Sequence, residues 1–274
     1  MQRISIIICV CTILASCGHR NNTHRIDNEL EKEAWVQELE QHNPIANDSK
    51  YISVYFKYDT IVNGYDVRGI FFPSYFQEYI DYKNGVIMYF RNLATGKEYE
   101  YTDFDKAYKK SKLSFTSRNI ENIIADSLFT GFKDGDVYIF HYDISNYEDS
   151  SNNLLPNAEF QFYDADFDGT DELLIGCLRG GQHGCTYYEI YEMTDTALVE
   201  KRLIDSDETF GFDYNTSFNP EIKTISESVS HGSGHWGCYE YHADENGNVR
   251  LQYYISSIYD FDRDIVIITD TTSY

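Results

Sequence analysis

Short runs of aromatic and β-branched residues, separated by turn-forming residues, fill the sequence from Tyr51 onwards. Such side chains pack well on the pleated, half-buried surface of a strand, and the chain holds 25 Tyr and 17 Phe. Hairpin turns are predicted at Ala94–Lys97 and at Glu245–Gly247, where an Asn-Gly pair accepts the positive φ angles of a tight turn. The pattern predicts an all-β fold, mostly antiparallel, built as a sandwich, a barrel or a propeller-like arrangement with few helices.

The first seventeen residues contain the parts of an export signal. Arg3 precedes an apolar run from Ile4 to Leu14, which is too short to be a permanent membrane span. The segment Leu14-Ala15-Ser16-Cys17 resembles the lipobox of bacterial lipoproteins, in which the Cys is acylated and becomes the new N-terminus. This resemblance implies that residues 1–16 are a signal peptide and that Cys17 carries a lipid anchor to the membrane. Gly18 in place of Asp implies the outer membrane, with the periplasmic or surface face open. The alternative is an ordinary secretory signal.

The polar segment 17–50 is predicted to be a tether between the membrane and the folded body. Leu30, Ala34 and Leu39 are spaced for one face of a short helix, and a flexible spacer is the alternative. A polar stretch at 149–157 is the best candidate boundary inside the body. The predicted organisation is therefore a signal peptide (1–16), a tether (17–50), an N-terminal β region (51–150) and a C-terminal β region (151–274).

The formal net charge of the chain is −23. A surface this acidic repels phosphates of nucleic acids and anionic lipid headgroups, so neither DNA, RNA nor polybasic docking to a membrane is expected. The charge instead fits a cationic partner or bound cations, and a solvated acidic surface is the alternative.

Three cysteines remain after the signal peptide and the lipid-bearing Cys17 are set aside, namely Cys177, Cys185 and Cys238. A disulfide between Cys177 and Cys185 would close the loop between them, and the pairing of Cys185 with Cys238 is the rival. One thiol is left over in either case, which predicts a buried free cysteine.

The strongest chemical signal is a short acidic segment that starts at Asp164 and ends at Glu172. Calcium takes six to eight hard oxygen ligands, and alternating carboxylates on a curling loop turn inward together. An EF-hand needs Glu at position twelve, where this chain has Ile175, and the flanks read as strands. The sequence therefore predicts a β-type Ca²⁺ loop with ligands Asp164, Asp166, Asp168, the carbonyl of Thr170 and Glu172.

This segment resembles the calcium loops of FG-GAP and integrin-type propeller repeats, with Glu172 in place of their final Asp. Residues 162–191 are also similar to exported, propeller-like calcium-binding proteins, some of which inhibit peptidoglycan-cleaving enzymes. The resemblance covers about residues 158–262 and implies a protein-binding inhibitor or immunity factor against a cell-wall hydrolase.

Two Gly-rich loops, at 179–186 and 230–238, are the expected contact surface for a partner. Two histidines four residues apart in the second loop could share a zinc ion if they lay on a helix. The glycines around them disfavour a helix, and a mobile hairpin is favoured instead. Ser233-Gly234 with Tyr239 weakly resembles the cleft-filling loop of periplasmic lysozyme inhibitors. The residues expected to contact a partner are His183, Ser233, His235, Trp236 and Tyr239.

Catalysis is not expected, since the sequence contains neither a nucleophile elbow, a phosphate-binding loop nor a His-Glu-x-x-His motif. The favoured interpretation is a calcium-stabilised, non-enzymatic lipoprotein of the cell envelope that binds a cationic cell-wall hydrolase. The alternative is a component that binds a glycan or assembles the outer envelope, with aromatic side chains such as Trp236 as stacking platforms.

Overall fold

The fold is taken from a computed structural model of the chain. It describes residues 24–25, 34–43, 52–72, 85–103, 113–115, 120, 132–142, 158–179, 185–203, 212–213, 216–232, 234–260, 263 and 265–274. The signal peptide, Cys17, much of the tether, the boundary at 149–157, His183 and Ser233 lie outside these residues.

The described residues form three β-sheets and one short helix, which confirms the predicted all-β class with a short helix in the tether. The helix, α1, is Ala34–His42. The strands of the first half are β1 (His24–Arg25), β2 (Val54–Tyr58), β3 (Tyr65–Phe72), β4 (Gly85–Asn92), β5 (Glu98–Thr102), β6 (Leu113–Phe115) and β7 (Val137–Phe140). Those of the second half are β8 (Phe160–Tyr163), β9 (Glu172–Arg179), β10 (Cys185–Met193), β11 (Leu198–Glu200), β12 (Phe212–Asp213), β13 (Ser217–Asn219), β14 (Thr224–Gly232), β15 (His235–Ala243), β16 (Val249–Asp260) and β17 (Ile265–Ser273).

The first sheet has the strand order β1-β7-β2-β3-β4-β5. Its strands pair antiparallel except for β2 and β7, which are parallel. β4 and β5 form the predicted hairpin, in which Gly96 has a φ of +72° and donates its N–H to the carbonyl of Asn92.

The second sheet has the order β11-β10-β9-β6, with β12 also paired to β10 and β8 also paired to β9. The third sheet is an antiparallel meander of β13-β14-β15-β16-β17. The predicted hairpin at 245–247 joins β15 to β16, and Gly247 there has a φ of +76°.

The layers follow from the alternation of side chains along each strand. On β2, Val54, Phe56 and Tyr58 face the second sheet and share a core with Leu173 and Ile175 of β9. Tyr55, between them, faces the other way and packs with α1. Because helix and sheet cover its two faces, the first sheet is buried on both sides.

Helix α1 docks on the first sheet through Val36 and Leu39, both fully buried. These residues are three apart and therefore lie on one helix face. Ala34, expected on that face, is exposed. At least this part of the predicted tether is packed against the body.

A separate core joins the second sheet to the third. It contains Leu174 of β9, Ile190 of β10, and Phe218, Ile225 and Tyr241 of the third sheet. The second sheet thus lies in the middle, between the first and the third, and the molecule is a layered sandwich. The core between the first and second sheets contains residues from both sides of the predicted boundary at 149–157.

Within the described part of the chain, no helix is long and apolar enough to cross a membrane.

Candidate metal centre

The acidic segment forms the connection between β8 and β9. Antiparallel pairing of Tyr163 with Glu172 brings its two ends together. Within it, Ala165 and Phe167 are buried in the core between the second and third sheets, where Phe167 contacts the ring of Phe218. These two apolar side chains fix the loop to the body, and the carboxylates alternate with them along the chain.

The backbone of the loop curls through two residues with positive φ. Phe167 has a φ of +60° and Gly169 a φ of +94°. A non-glycine residue in this region costs free energy, and burial of the Phe167 ring in the core offsets that cost. Asp166 and Asp168 each accept a hydrogen bond from the backbone N–H two residues further on. The curl is thus held by side-chain carboxylates that bond to the backbone of their own loop.

Three carboxylates converge inside this loop. One oxygen each of Asp164, Asp166 and Glu172 lies within 4.8 Å of the others. Oxygens that share a calcium ion lie at about 2.4 Å from it, so two of them can be separated by about twice that distance. The cluster could therefore hold a metal ion.

Most of the oxygens in the cluster already accept a hydrogen bond. Oε2 of Glu172 accepts one from the N–H of Ala165 at 2.9 Å, and Oδ2 of Asp164 accepts one from the N–H of Gly169 at 3.1 Å. Oδ1 of Asp164 is buried, and among the described residues it has no hydrogen-bond partner. An unpaired buried carboxylate oxygen is costly, and a bound cation would remove that cost.

A lysine also reaches into the cluster. The ammonium of Lys201, which directly follows β11, forms ion pairs with Oδ2 of Asp166 and, at 2.8 Å, with Oε1 of Glu172. Lys201 is 29 residues from Glu172 in the sequence, and no spacing rule marks it as part of the loop. A second lysine, Lys223, donates to the carbonyl of Phe167 at 3.1 Å without touching these carboxylates.

The proton affinities of the cluster reflect burial and crowding. Burial, with a contribution from the charges of Asp166 and Asp168, raises the pKa of Asp164. Burial also raises the pKa of Glu172, although Lys201 and the N–H of Ala165 oppose it. Burial by itself lowers the pKa of Lys201, but the hydrogen bonds to Asp166 and Glu172 outweigh it and raise that pKa. The lysine is therefore charged, and it compensates only part of the negative charge around it.

The hairpin between β15 and β16 closes one side of the loop. A Cβ atom placed on Gly247 would lie 2.8 Å from Oδ2 of Asp166. Only glycine allows this close approach, and its positive φ at the same position also favours glycine.

Of the four predicted carboxylate ligands, the structure brings together three, Asp164, Asp166 and Glu172. Asp168 is exposed, and its Oδ1 accepts the N–H of Thr170 instead. Asp168 lies outside the group of three, and Thr170 is exposed beside it.

The predicted disulfide between Cys177 and Cys185 is not formed. Cys177 is a free, buried thiol, 4.0 Å from the hydroxyl of Tyr101. The register of β9 and β10 places Cys177 opposite Tyr187 and Cys185 opposite Arg179. Such diagonal neighbours have Cα atoms about 7–8 Å apart, which is too far for a disulfide. The rival pairing is also wrong, because Cys238 is a free, exposed cysteine.

The Gly-rich segment 230–238, expected to be a mobile hairpin, consists mostly of the paired ends of β14 and β15. β14 runs to Gly232 and β15 begins at His235, and these two residues pair directly. His235 and Trp236 are both exposed, but successive residues of a strand point to opposite faces. Tyr239 shares a face with His235 and packs against Tyr254. The three described contact residues, His235, Trp236 and Tyr239, therefore do not all lie on one face of the sheet.

No family model matches this chain, and neither a curated protein nor a solved structure matches it significantly.

Proposed function

We propose that this chain is a calcium-binding lipoprotein of the cell envelope that acts as a protein-binding module, and that its partner is a cationic cell-wall hydrolase. The observations that carry the calcium site are the convergence of one oxygen each of Asp164, Asp166 and Glu172 and the buried oxygen of Asp164 that has no hydrogen-bond partner among the described residues. Three carboxylates and one lysine leave a net negative charge, and a divalent cation would compensate more of the carboxylate charge than the lysine does.

Calcium fits this loop better than other common metals. All the side chains in the cluster offer hard oxygen ligands, which excludes the soft thiolate sites preferred by zinc and copper. Magnesium needs near-ideal octahedral geometry at about 2.0–2.1 Å, whereas calcium tolerates irregular shells. A curled loop of carboxylates is suited to calcium.

Calorimetric titration of the purified chain with calcium and magnesium tests the site. We expect a dissociation constant of about 10⁻⁴ to 10⁻³ M for calcium, the range of extracellular calcium modules. At ten times that concentration, the ion should add about 1.4 kcal/mol to the free energy of unfolding.

Asp164→Asn is the decisive variant. It removes the charge of the carboxylate with the unpaired oxygen, so calcium should bind at least about tenfold more weakly. Without calcium the variant should be no less stable than the original chain, because like-charge repulsion within the loop falls. Asp195→Asn, in the exposed turn between β10 and β11, is the control. Equal calcium binding by the original chain and Asp164→Asn would contradict the site.

An exposed apolar row on the third sheet supports the role as a binding module. The strand register aligns Trp236, Ser257 and Ile268 side by side on one face, with Val266 next in line on β17. The side chains of Trp236, Val266 and Ile268 are 47%, 65% and 63% exposed. Ser257 separates Trp236 from Ile268 in this row, and a group of large exposed apolar side chains on one face is typical of an interaction surface. We call this row the Trp236 row.

The negative charge of the chain indicates the class of its partner. A chain with a net charge of −23 attracts cationic proteins and speeds their encounter. The resemblance of residues 158–262 to exported calcium-binding proteins, some of them inhibitors, directs the proposal to peptidoglycan-cleaving enzymes. The similarity of residues 14–17 to a lipobox supports the envelope location.

A turbidity assay with a panel of cationic lysozyme-type enzymes tests the partner. We expect inhibition of at least one enzyme. Trp236→Ala should weaken this inhibition about tenfold or more, because an aromatic side chain at the centre of an interface often contributes much of the binding energy. Ile222→Ala is the control, because Ile222 is also an exposed apolar residue but lies outside the Trp236 row, in the turn between β13 and β14. It should have no effect on inhibition. Absence of inhibition across the panel would end the hydrolase proposal and leave the calcium site untouched.

A further inference from the structure

Lys201 holds two of the three carboxylates that would bind calcium. Its ammonium pairs with Oδ2 of Asp166 and Oε1 of Glu172, side chains that are only 4% and 2% exposed. The lysine is positioned by its own backbone N–H, which donates to the carbonyl of Ile190 on β10 at 2.8 Å. Its position therefore depends on the second sheet and not on the loop.

We propose that Lys201 is an internal competitor of the metal ion, which must displace the Lys201 ammonium in order to bind. The proposal rests on the calcium site proposed above and names the residue that regulates its affinity. Lys201 would then serve as the cation of the loop whenever calcium is scarce.

The competition follows from the small number of available oxygens. The second oxygen of Glu172 accepts the N–H of Ala165, and that of Asp166 accepts the N–H of Asp168. The remaining oxygens of these two carboxylates, Oδ2 of Asp166 and Oε1 of Glu172, are not bonded to the loop backbone, and both are held by Lys201. A metal ion that binds Asp166 and Glu172 through oxygens not already bonded to the loop backbone would therefore use the two that Lys201 holds.

Like-charge repulsion prevents the two cations from sharing these carboxylates. A metal at about 2.4 Å from the shared oxygens and an ammonium 2.8 Å from the same Glu172 oxygen would be close neighbours. Both carboxylates are almost fully buried, and charges in such places are screened weakly by solvent. Calcium binding should therefore release the lysine side chain, which is 22% exposed, towards solvent.

Substitution of Lys201 by Gln separates competition from simple support of the loop. If the lysine competes, Lys201→Gln should bind calcium at least about tenfold more tightly and be less stable than the original chain in chelator. Lys223→Gln is the matched control, since it removes the same charge from a lysine that contacts the same loop only through the Phe167 carbonyl. It should change calcium affinity by less than about threefold, because the charge it removes lies farther from the ion and is screened by salt.

The outcomes distinguish the two proposals. If only the Lys201→Gln variant binds calcium and the original chain does not, competition is supported and the calcium role of the original chain is overturned. Binding that is equal in the original chain, Lys201→Gln and Lys223→Gln, or weaker in Lys201→Gln, would overturn competition and leave the calcium site standing. No binding by any of them would overturn both. Circular dichroism establishes folding, and Lys201→Met replaces Lys201→Gln if the latter unfolds.

Lysine reactivity gives a second measurement that needs no substitution. Acetylation of Lys201, followed by peptide mass analysis, should be slow in chelator because its ammonium is paired and mostly covered. Calcium should accelerate it at least about threefold, while Lys223 changes little. If calcium instead slows the acetylation of Lys201, the proposed displacement of the lysine is wrong.

Discussion

At the scale of single residues, the free thiol of Cys177 shows how burial decides chemistry. The side chain is 1% exposed in the core between the first and second sheets. Burial raises the pKa of the thiol well above its usual value, and the thiolate is the reactive form. Cys177 is therefore expected to be inert in the folded protein, whereas Cys238 is exposed and free.

Alkylation by a maleimide without reductant, followed by peptide mass mapping, tests this contrast. Cys238 should be labelled in the native protein, and Cys177 should react at least about a hundredfold more slowly, because it requires opening of the core. In denaturant both should be labelled at similar rates. If Cys177 stays unlabelled in denaturant until a reductant is added, it is in a disulfide and the structural assignment is wrong.

The sequence predicted the carboxylates of the acidic loop but not the lysine that pairs with them. Asp164, Asp166 and Glu172 could be identified because short-range spacing places carboxylates inside one curling loop. Asp168 satisfied the same spacing, yet its carboxylate bonds to the backbone of Thr170. Lys201 could not be found this way, because sheet pairing alone brings it to the loop.

At the scale of elements, a buried arginine joins α1 to the first sheet. Arg68 on β3 is 2% exposed and donates to Glu38 of α1 at 2.7 Å and to Glu98 of β5 at 2.6 Å. A buried charge with one partner removed is strongly destabilising. This pairing fixes the helix on the sheet in addition to the contacts of Val36 and Leu39.

The same pairing makes the docking of α1 sensitive to acid. The hydrogen bond from Arg68 lowers the pKa of the Glu38 carboxyl below its usual value. A lowered folded-state pKa contributes stability above the unfolded-state value, and this contribution is lost as the pH falls through the folded-state pKa. We expect Glu38→Gln to cost about 1 kcal/mol at pH 7, a value reduced for the partial exposure of Glu38.

Urea unfolding between about pH 7 and pH 3 measures this effect. The difference in free energy of unfolding between the original chain and Glu38→Gln should shrink as the pH falls below about 4.5. Glu245→Gln, in the exposed turn between β15 and β16, is the control and should leave the curve unchanged. A difference that is constant over this range would contradict the ion pair.

At the scale of the whole molecule, the second sheet has apolar partners on both of its faces. On β9, Leu173 and Ile175 face the first sheet and Leu174 faces the third. Glu172, at the start of this strand, is therefore carried into the interior, where its carboxylate needs a cation. The acidic loop lies where a buried strand begins, so the proposed metal ion would add to the stability of both cores.

The net charge leads to a prediction about association. If the proposed partner is a cationic hydrolase, the association rate constant should fall about tenfold or more between about 0.05 and 0.5 M NaCl, because salt screens the long-range attraction. The dissociation rate constant should change less, since it depends mainly on the contacts at the Trp236 row. Surface plasmon resonance measures both. An association rate independent of salt would contradict electrostatic attraction.

The sequence by itself determined the local features: the all-β class, the two hairpins, the short helix and the acidic loop. Each depends on residues close together in the chain, where spacing and turn chemistry act directly. The tertiary structure alone decided the features that join distant residues. These include Cys177 opposite Tyr187, Lys201 against Glu172, and one core built from both sides of the predicted boundary. Strand order and register set these contacts, and both arise from the packing of whole faces, which no local pattern specifies.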